Sequence, residues 1–301
     1  MRYSITLSYA GAGFCGWQRQ PSDPSVQECL EDALGKLLGG EVPVIGAGRT
    51  DTGVNAIGYV ACFDGPEGLA ADDFCYKLNA ILPRSIVVSR VAPVAPDFHA
   101  RFDARRREYT YFLHRSKDPF VEAFSWQCGY PDLDFSAMNA AAALLVGTHD
   151  FSCFEKLGAD NKTSVCTVFE AFWQPYVPSH VSVMGNTDAP GQCEGVIRPG
   201  NAGTGVPLRD TDLPFARRGQ PHGGVKAYWY FRISADRFLR NMVRAIVGTL
   251  IEVGRGKRTL NDFASLILPA ETPSAKSKEP RRSLAGESVP GHALFLSKVE
   301  Y

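Results

Sequence analysis

"MRYSITLSYAGAGFCGWQRQPSDPSVQECLEDALGKLLGG", residues 1–40, carries the fold class in a single unit. Tyr3, Ile5, Leu7 and Tyr9 alternate with polar neighbours, the period-two pattern of a strand with one buried face. A glycine-rich loop, "GAGFCGW", follows. Then Val26, Leu30, Ala33, Leu34, Leu37 and Leu38 form an apolar stripe at helical spacing. Ser25 and Glu28 have the spacing of a capping box, and Gly39 and Gly40 end the run. Working outward, "AIGYVACF" (56–63) reads as a strand. "DDFCYKLNAIL" (72–82) reads as a helix stopped by Pro83, and "SIVVSRV" (85–91) as another strand.

A second set begins near Arg105. "RREYTYFLHR" (106–115) alternates as a strand, and "DFSAMNAAAALLVG" (134–147) is helical. "TVFEAFWQPYV" (167–177), "HVSVM" (180–184) and "VKAYWYFRIS" (225–234) read as strands. "DRFLRNMVRAIVGTLIEVGRG" (236–256) is the strongest helix, with Leu239, Val243, Ile246 and Leu250 on one face and Gly254 closing it. "TLNDFASLIL" (259–268) predicts one more helix and "HALFLSKVEY" (292–301) a last strand. Strand–helix–strand sets occur twice without regular β-α-β alternation. The pattern predicts an α+β fold with two mainly antiparallel sheets, helices on one face of each, and a boundary near residue 105. Residues 185–224 hold nine Gly and five Pro, too little apolar surface for a core, and predict a loop insertion. The run 269–282 is similarly polar.

Composition narrows the function classes. The chain of 301 residues is 45% hydrophobic and 21% charged, which is ordinary for a soluble globular protein. It contains no apolar run long enough to span a bilayer, and its start has no signal-peptide pattern, so a cytoplasmic protein is expected. Eight cysteines lie scattered without zinc-site spacing. Net charge is zero, yet residues 101–117 hold six Lys/Arg against two acids and residues 226–258 hold eight against two. Two such segments make either ordinary solvated faces or one basic face for nucleic acid.

The chemistry centres on "GAGRTDTGVNA", residues 46–56. A dinucleotide fingerprint fails there, because Asp51 stands where a pyrophosphate would lie, and the P-loop Lys–Ser/Thr pair is absent. What remains is a carboxylate on a backbone with little side-chain bulk. Either Asp51 caps a tight turn, or the glycines admit a large ligand and Asp51 acts as a nucleophile, with Arg49 near enough to pair with it. No second carboxylate of the glycosidase kind and no G-x-S-x-G elbow accompany it. Tyr109 and Tyr111 share one strand face, suited either to a core or to stacking RNA bases. Arg237, Arg240 and Arg244 fall at helical spacing as a basic stripe, for solvent, for phosphates or for a carboxylate in a cleft.

Three of these segments, "GAGRTDTGVNA", "RREYTYFL" and "FLRNMVRAIVG", resemble the motifs of the TruA-type tRNA pseudouridine synthases. "YAGAGFCGWQRQP", "GTHDFSCF" and "ALFLSKVEY" are similar as well, so the likeness spans most of the chain outside 185–224 and 269–282. The resemblance implies conversion of uridine to pseudouridine at positions 38 to 40 of the tRNA anticodon stem-loop. It makes Asp51 the catalytic nucleophile, sets Tyr109 against the target base, pairs Arg244 with Asp51, and gives Arg49 a part in placing the RNA. It implies halves 1–104 and 105–301 related by a pseudo-twofold with the cleft between them, a homodimer, and no cofactor or metal. The sequence departs from the family pattern at Thr52 and Asn55, where Ala and His are common, at "SVPG" (288–291), and at Cys166, where Arg is frequent. A non-catalytic RNA-binding protein would need the basic face and Tyr109 without Asp51. A small-molecule carboxylate enzyme would not need the basic segments.

Overall fold

The computed structural model describes residues 1–156, 158, 163–179, 228–270 and 281–301. Strand β1, Arg2–Tyr9, buries every second side chain, as its alternation requires. Helix α1, Val26–Leu38, starts where the Ser25 side chain accepts from the Glu28 N–H and stops at Gly39, left-handed with φ 80°. Only half of the expected capping box forms: the Glu28 carboxylate faces Arg19 instead, at 3.8 Å. Strands β2 (Ile45–Gly46) and β3 (Asn55–Asp64), helix α2 (Ala71–Ile81) and strand β4 (Ile86–Pro93) complete the first set.

The second set comprises β5 (Arg106–His114), β6 (Trp126–Gln127), α3 (Phe135–Ala143), β7 (Gly147–Asp150), β8 (Val165–Tyr176), β9 (Tyr228–Ala235), α4 (Met242–Gly254), α5 (Leu260–Ala264), β10 (Leu268–Pro269) and β11 (Leu294–Glu300). The predicted strand at 180–184 and the 185–224 insertion lie outside the described residues. Two helices are shorter than their patterns. The one expected to run to Leu268 ends at Ala264. The one expected from Asp236 begins only at Met242, because Asn241 adopts a left-handed φ of 65°, which an α-helix cannot contain.

The α+β class is as expected, but the strands form one continuous sheet rather than two. Its order is β10-β7-β8-β9-β5-β11-β3-β1-β4, with β2 on β3 and β6 on β5. The last strand makes the join: β11 runs antiparallel to β5 and parallel to β3, through Phe295↔Asn55 and Leu296↔Ala56. Two hydrophobic clusters fill the core. One gathers the first set of elements plus Leu296; the other gathers the second set plus Val54. Tyr109 packs against both, so the seam between the clusters passes beneath it.

Candidate active site

The turn between β2 and β3 carries Asp51, and the glycine loop after β1 holds it from below. Gly11 and Gly16 lie so close that a Cβ on either would sit 2.3 Å from the Val54 carbonyl oxygen or 2.2 Å from that of Thr50. Side chains at those positions would lift the loop off the turn. Three hydrogen bonds fasten the pair: Trp17 N–H to the Thr50 carbonyl (3.2 Å), Gly53 N–H to the Phe14 carbonyl (3.2 Å), and Tyr9 Oη with Thr50 Oγ1 (2.9 Å). Within the turn, the Val54 N–H donates to the Asp51 carbonyl (3.1 Å). The glycines of the motif divide in role. A Cβ at Gly46 would collide with Tyr59 and Trp17, while at Gly48 and Gly53 it would meet only ordinary contacts. The small residue at 46 thus makes room for the protein's own rings, not for a ligand; Gly48 and Gly53 are the open positions.

Arg244 meets Asp51 across the seam. Its Nη1 lies 3.7 Å from Asp51 Oδ2, with about a quarter of each side chain exposed. The Arg244 Nε donates to the Val289 carbonyl (2.7 Å), and the Val289 N–H returns a bond to the Arg244 carbonyl (3.2 Å). The guanidinium is therefore held from one side and offers its other edge to the carboxylate, a geometry that suits arginine's fixed fork. Arg49 does not fill that role. It is exposed and has no hydrogen bond or ion pair among the described residues. Arg237 and Arg240 precede α4, so the expected helical stripe of three arginines reduces to Arg244.

Tyr109 stands on β5 opposite Leu296 of β11 and Ile233 of β9, with its ring edge-on to Phe238 at 5.0 Å. Burial, and then the negative charge of Asp51, raise its phenol pKa well above the usual range. Tyr109 therefore keeps its proton throughout the neutral range. Tyr111, on the same face of β5, is fully buried and belongs to the core. Cys166 is buried in β8 and burial pushes its thiol up to about 12, so it offers nothing to an RNA.

The segment before β11 straps the two sides of the site together. Asn241 Nδ2 donates to Ser288 Oγ (2.6 Å), and a Cβ at Gly291 would lie 2.5 Å from the Thr52 carbonyl oxygen. Asn55 Nδ2 donates to the His292 carbonyl (2.7 Å), while its Oδ1 accepts from the Gly11 N–H (2.8 Å). The sequence departures at 55 and 288–291 thus lie in one joint, and sequence reading alone did not find that joint.

A family model described as tRNA pseudouridine synthase matches residues 5–103 and 141–301. A protein of Porphyromonas gingivalis named tRNA pseudouridine synthase A is 41% identical, covering all of this chain and 97% of its own length. Proteins of the same name from Bacteroides thetaiotaomicron and Bacillus licheniformis are 42% and 34% identical. They too align with this whole chain, over 90% and 99% of their own lengths.

Proposed function

Since the chain belongs to the TruA-type tRNA pseudouridine synthases, which are isomerases, we propose that it converts uridine to pseudouridine in the anticodon stem-loop of tRNA, at positions 38 to 40, with Asp51 as the nucleophile. The approach of Arg244 to Asp51, beside Tyr109 and over the seam of the two core clusters, carries this reading. The bond from N1 to C1′ of the ribose breaks, the base turns, and C5 bonds to C1′. The hydrogen on C5 leaves as a proton and N1 gains one. No electrons are gained or lost, so the chemistry calls for no redox cofactor.

The target base leaves its stack at a cost of a few kcal/mol and enters over the open positions Gly48 and Gly53. Asp51 then attacks C1′ or C6, or opens a glycal route; each begins from its carboxylate against the flipped nucleotide. Arg244 fixes the direction of that carboxylate. Tyr109 packs the base as a protonated phenol, and exposed Arg49 meets the RNA backbone. The two core clusters support a division into halves 1–104 and 105–301. The family resemblance supports a cytoplasmic homodimer, and sedimentation in solution tests the dimer.

The deciding experiment incubates the purified protein with an unmodified tRNA transcript and maps pseudouridine by nucleotide. Product at positions 38 to 40 is expected. Product only at other uridines overturns the positions, and no product overturns the reading.

A further inference from the structure

Arg107 is a half-buried cation with no carboxylate partner among the described residues. It lies on β5 two residues before Tyr109, on the same strand face. Its guanidinium donates only to backbone carbonyls. Nε and Nη2 reach Ala47 (3.2 and 2.9 Å), Nη2 also reaches Arg101 (2.6 Å), and Nη1 reaches Ala104 (3.3 Å) and Asp236 (2.8 Å). All five donors of the fork are thereby used.

The four carbonyls belong to the segments that carry the site. Ala47 opens the turn that holds Arg49 and Asp51. Arg101 and Ala104 form the connection into β5. Asp236 follows the end of β9 and begins the stretch that presents Phe238 to Tyr109 and leads to α4 and Arg244. Burial opposes the charge on Arg107, and its five hydrogen bonds all go to backbone carbonyls. Only a planar fork can serve four acceptors in these directions, and a lysine ammonium presents its donors at one point.

We propose that Arg107 is a positioning residue for the isomerisation: it sets the Asp51 turn against Tyr109 and the approach to Arg244, without touching RNA. The inference rests on the function proposed above. A misplacement of about 1 Å at a reacting centre lowers a rate by about 100-fold, and this is the scale of loss expected when the fork is removed.

The test compares Arg107→Lys and Arg107→Ala with wild type in three measurements: tRNA affinity, single-turnover rate at saturating tRNA, and amide exchange of the 46–52 turn. Total pseudouridine is counted wherever it forms, so an error in the proposed positions leaves the comparison readable. Expected are affinities within about threefold of wild type, rates lower by about 10-fold for Lys and 100-fold for Ala, and faster exchange in the turn. Millimolar methylguanidinium, against a matched salt control, should partly restore the Ala variant. A Lys variant with wild-type rate and exchange overturns the inference. So does a loss confined to affinity, which would make Arg107 a phosphate contact. If the Ala variant fails to fold, the Lys rate and exchange decide. A Lys rate loss that only tracks its unfolded fraction overturns the inference too.

Discussion

Asn55→Ala should cost about 3 kcal/mol, and the structure supplies the working. Asn55 is 2% exposed. Its amide accepts from the Gly11 N–H at 2.8 Å and donates to the carbonyls of His292 and Leu294 at 2.7 and 3.3 Å. Truncation strands the Gly11 N–H, worth roughly 1–3 kcal/mol, and removes donors worth about 1 kcal/mol net. For a chain of 301 residues about 3 kcal/mol corresponds to a melting temperature lower by roughly 5 °C.

Asn55→Asp keeps the acceptor for Gly11 but sets oxygen against the two carbonyls, so the folded state disfavours its charged form. Its folded pKa then lies above the unfolded value of about 3.9. The added penalty is absent below that value, grows as pH rises towards the folded pKa, and is constant above it. Asn55→His runs the other way. The neutral ring offers one acceptor and one donor, and protonation below about pH 6.5 removes the acceptor. Thermal unfolding at pH 5 and pH 8 checks both. An Asp variant that melts with wild type at pH 8, an Asp variant more stable relative to wild type at pH 8 than at pH 5, or a His variant more stable relative to wild type at pH 5 than at pH 8 would refute the account of this joint.

Asp51→Asn should abolish pseudouridine formation and leave tRNA affinity within a few-fold, since the amide is nearly isosteric but does not attack as a carboxylate does; turnover by a purified Asn variant free of wild-type enzyme would remove Asp51 from the nucleophile's role. Arg244→Ala should lower the single-turnover rate at saturating tRNA by at least about 100-fold, the scale of lost positioning. A loss seen only in affinity would make Arg244 a phosphate contact instead. Replacing residues 188–221 by a short Gly/Ser link should change the melting temperature little, because Tyr176 and Tyr228 already pair across β8 and β9 and each doubling of loop length costs only about 0.6 kcal/mol. Its effect on tRNA affinity at two salt concentrations reads whether Arg198, Arg209, Arg217 and Arg218 meet phosphates.

Much of the architecture was legible because burial imposes periods. The alternation in β1 and the stripe in α1 came straight from the need to bury one face. The start of α4 was not legible. Asparagine tolerates a left-handed backbone, but nothing in "RNMVR" marks Asn241 as the residue that adopts it, so Arg237 and Arg240 read as part of a stripe that does not exist. Asp51 stood out because few motifs enclose a carboxylate in glycine. The role of Gly46 could not be read, since whether a ligand or a ring fills its space depends on Trp17 and Tyr59 folding back. Arg107 was hidden for a deeper reason: its partners are carbonyls, and every residue carries one.

The route of the last strand explains why such side chains matter here. β11 follows β3 only through Phe295↔Asn55 and Leu296↔Ala56; further along, β3 pairs instead with β2, through Ala61↔Gly46 and Cys62↔Ile45. The backbone ladder between the two sides of the sheet is therefore short, and it ends close to Tyr109, which lies opposite Leu296. Past that point side chains continue the connection. Asn55 fastens the near end to the strap before β11, and Arg107 reaches from β5 to Ala47 just beyond β2. A long unbroken ladder would have joined the halves more firmly, but it would have placed paired strands where the Asp51 turn now rises. The short ladder leaves the turn free of strand pairing, and the side chains of Asn55 and Arg107 supply hydrogen bonds between the two sides where the ladder stops.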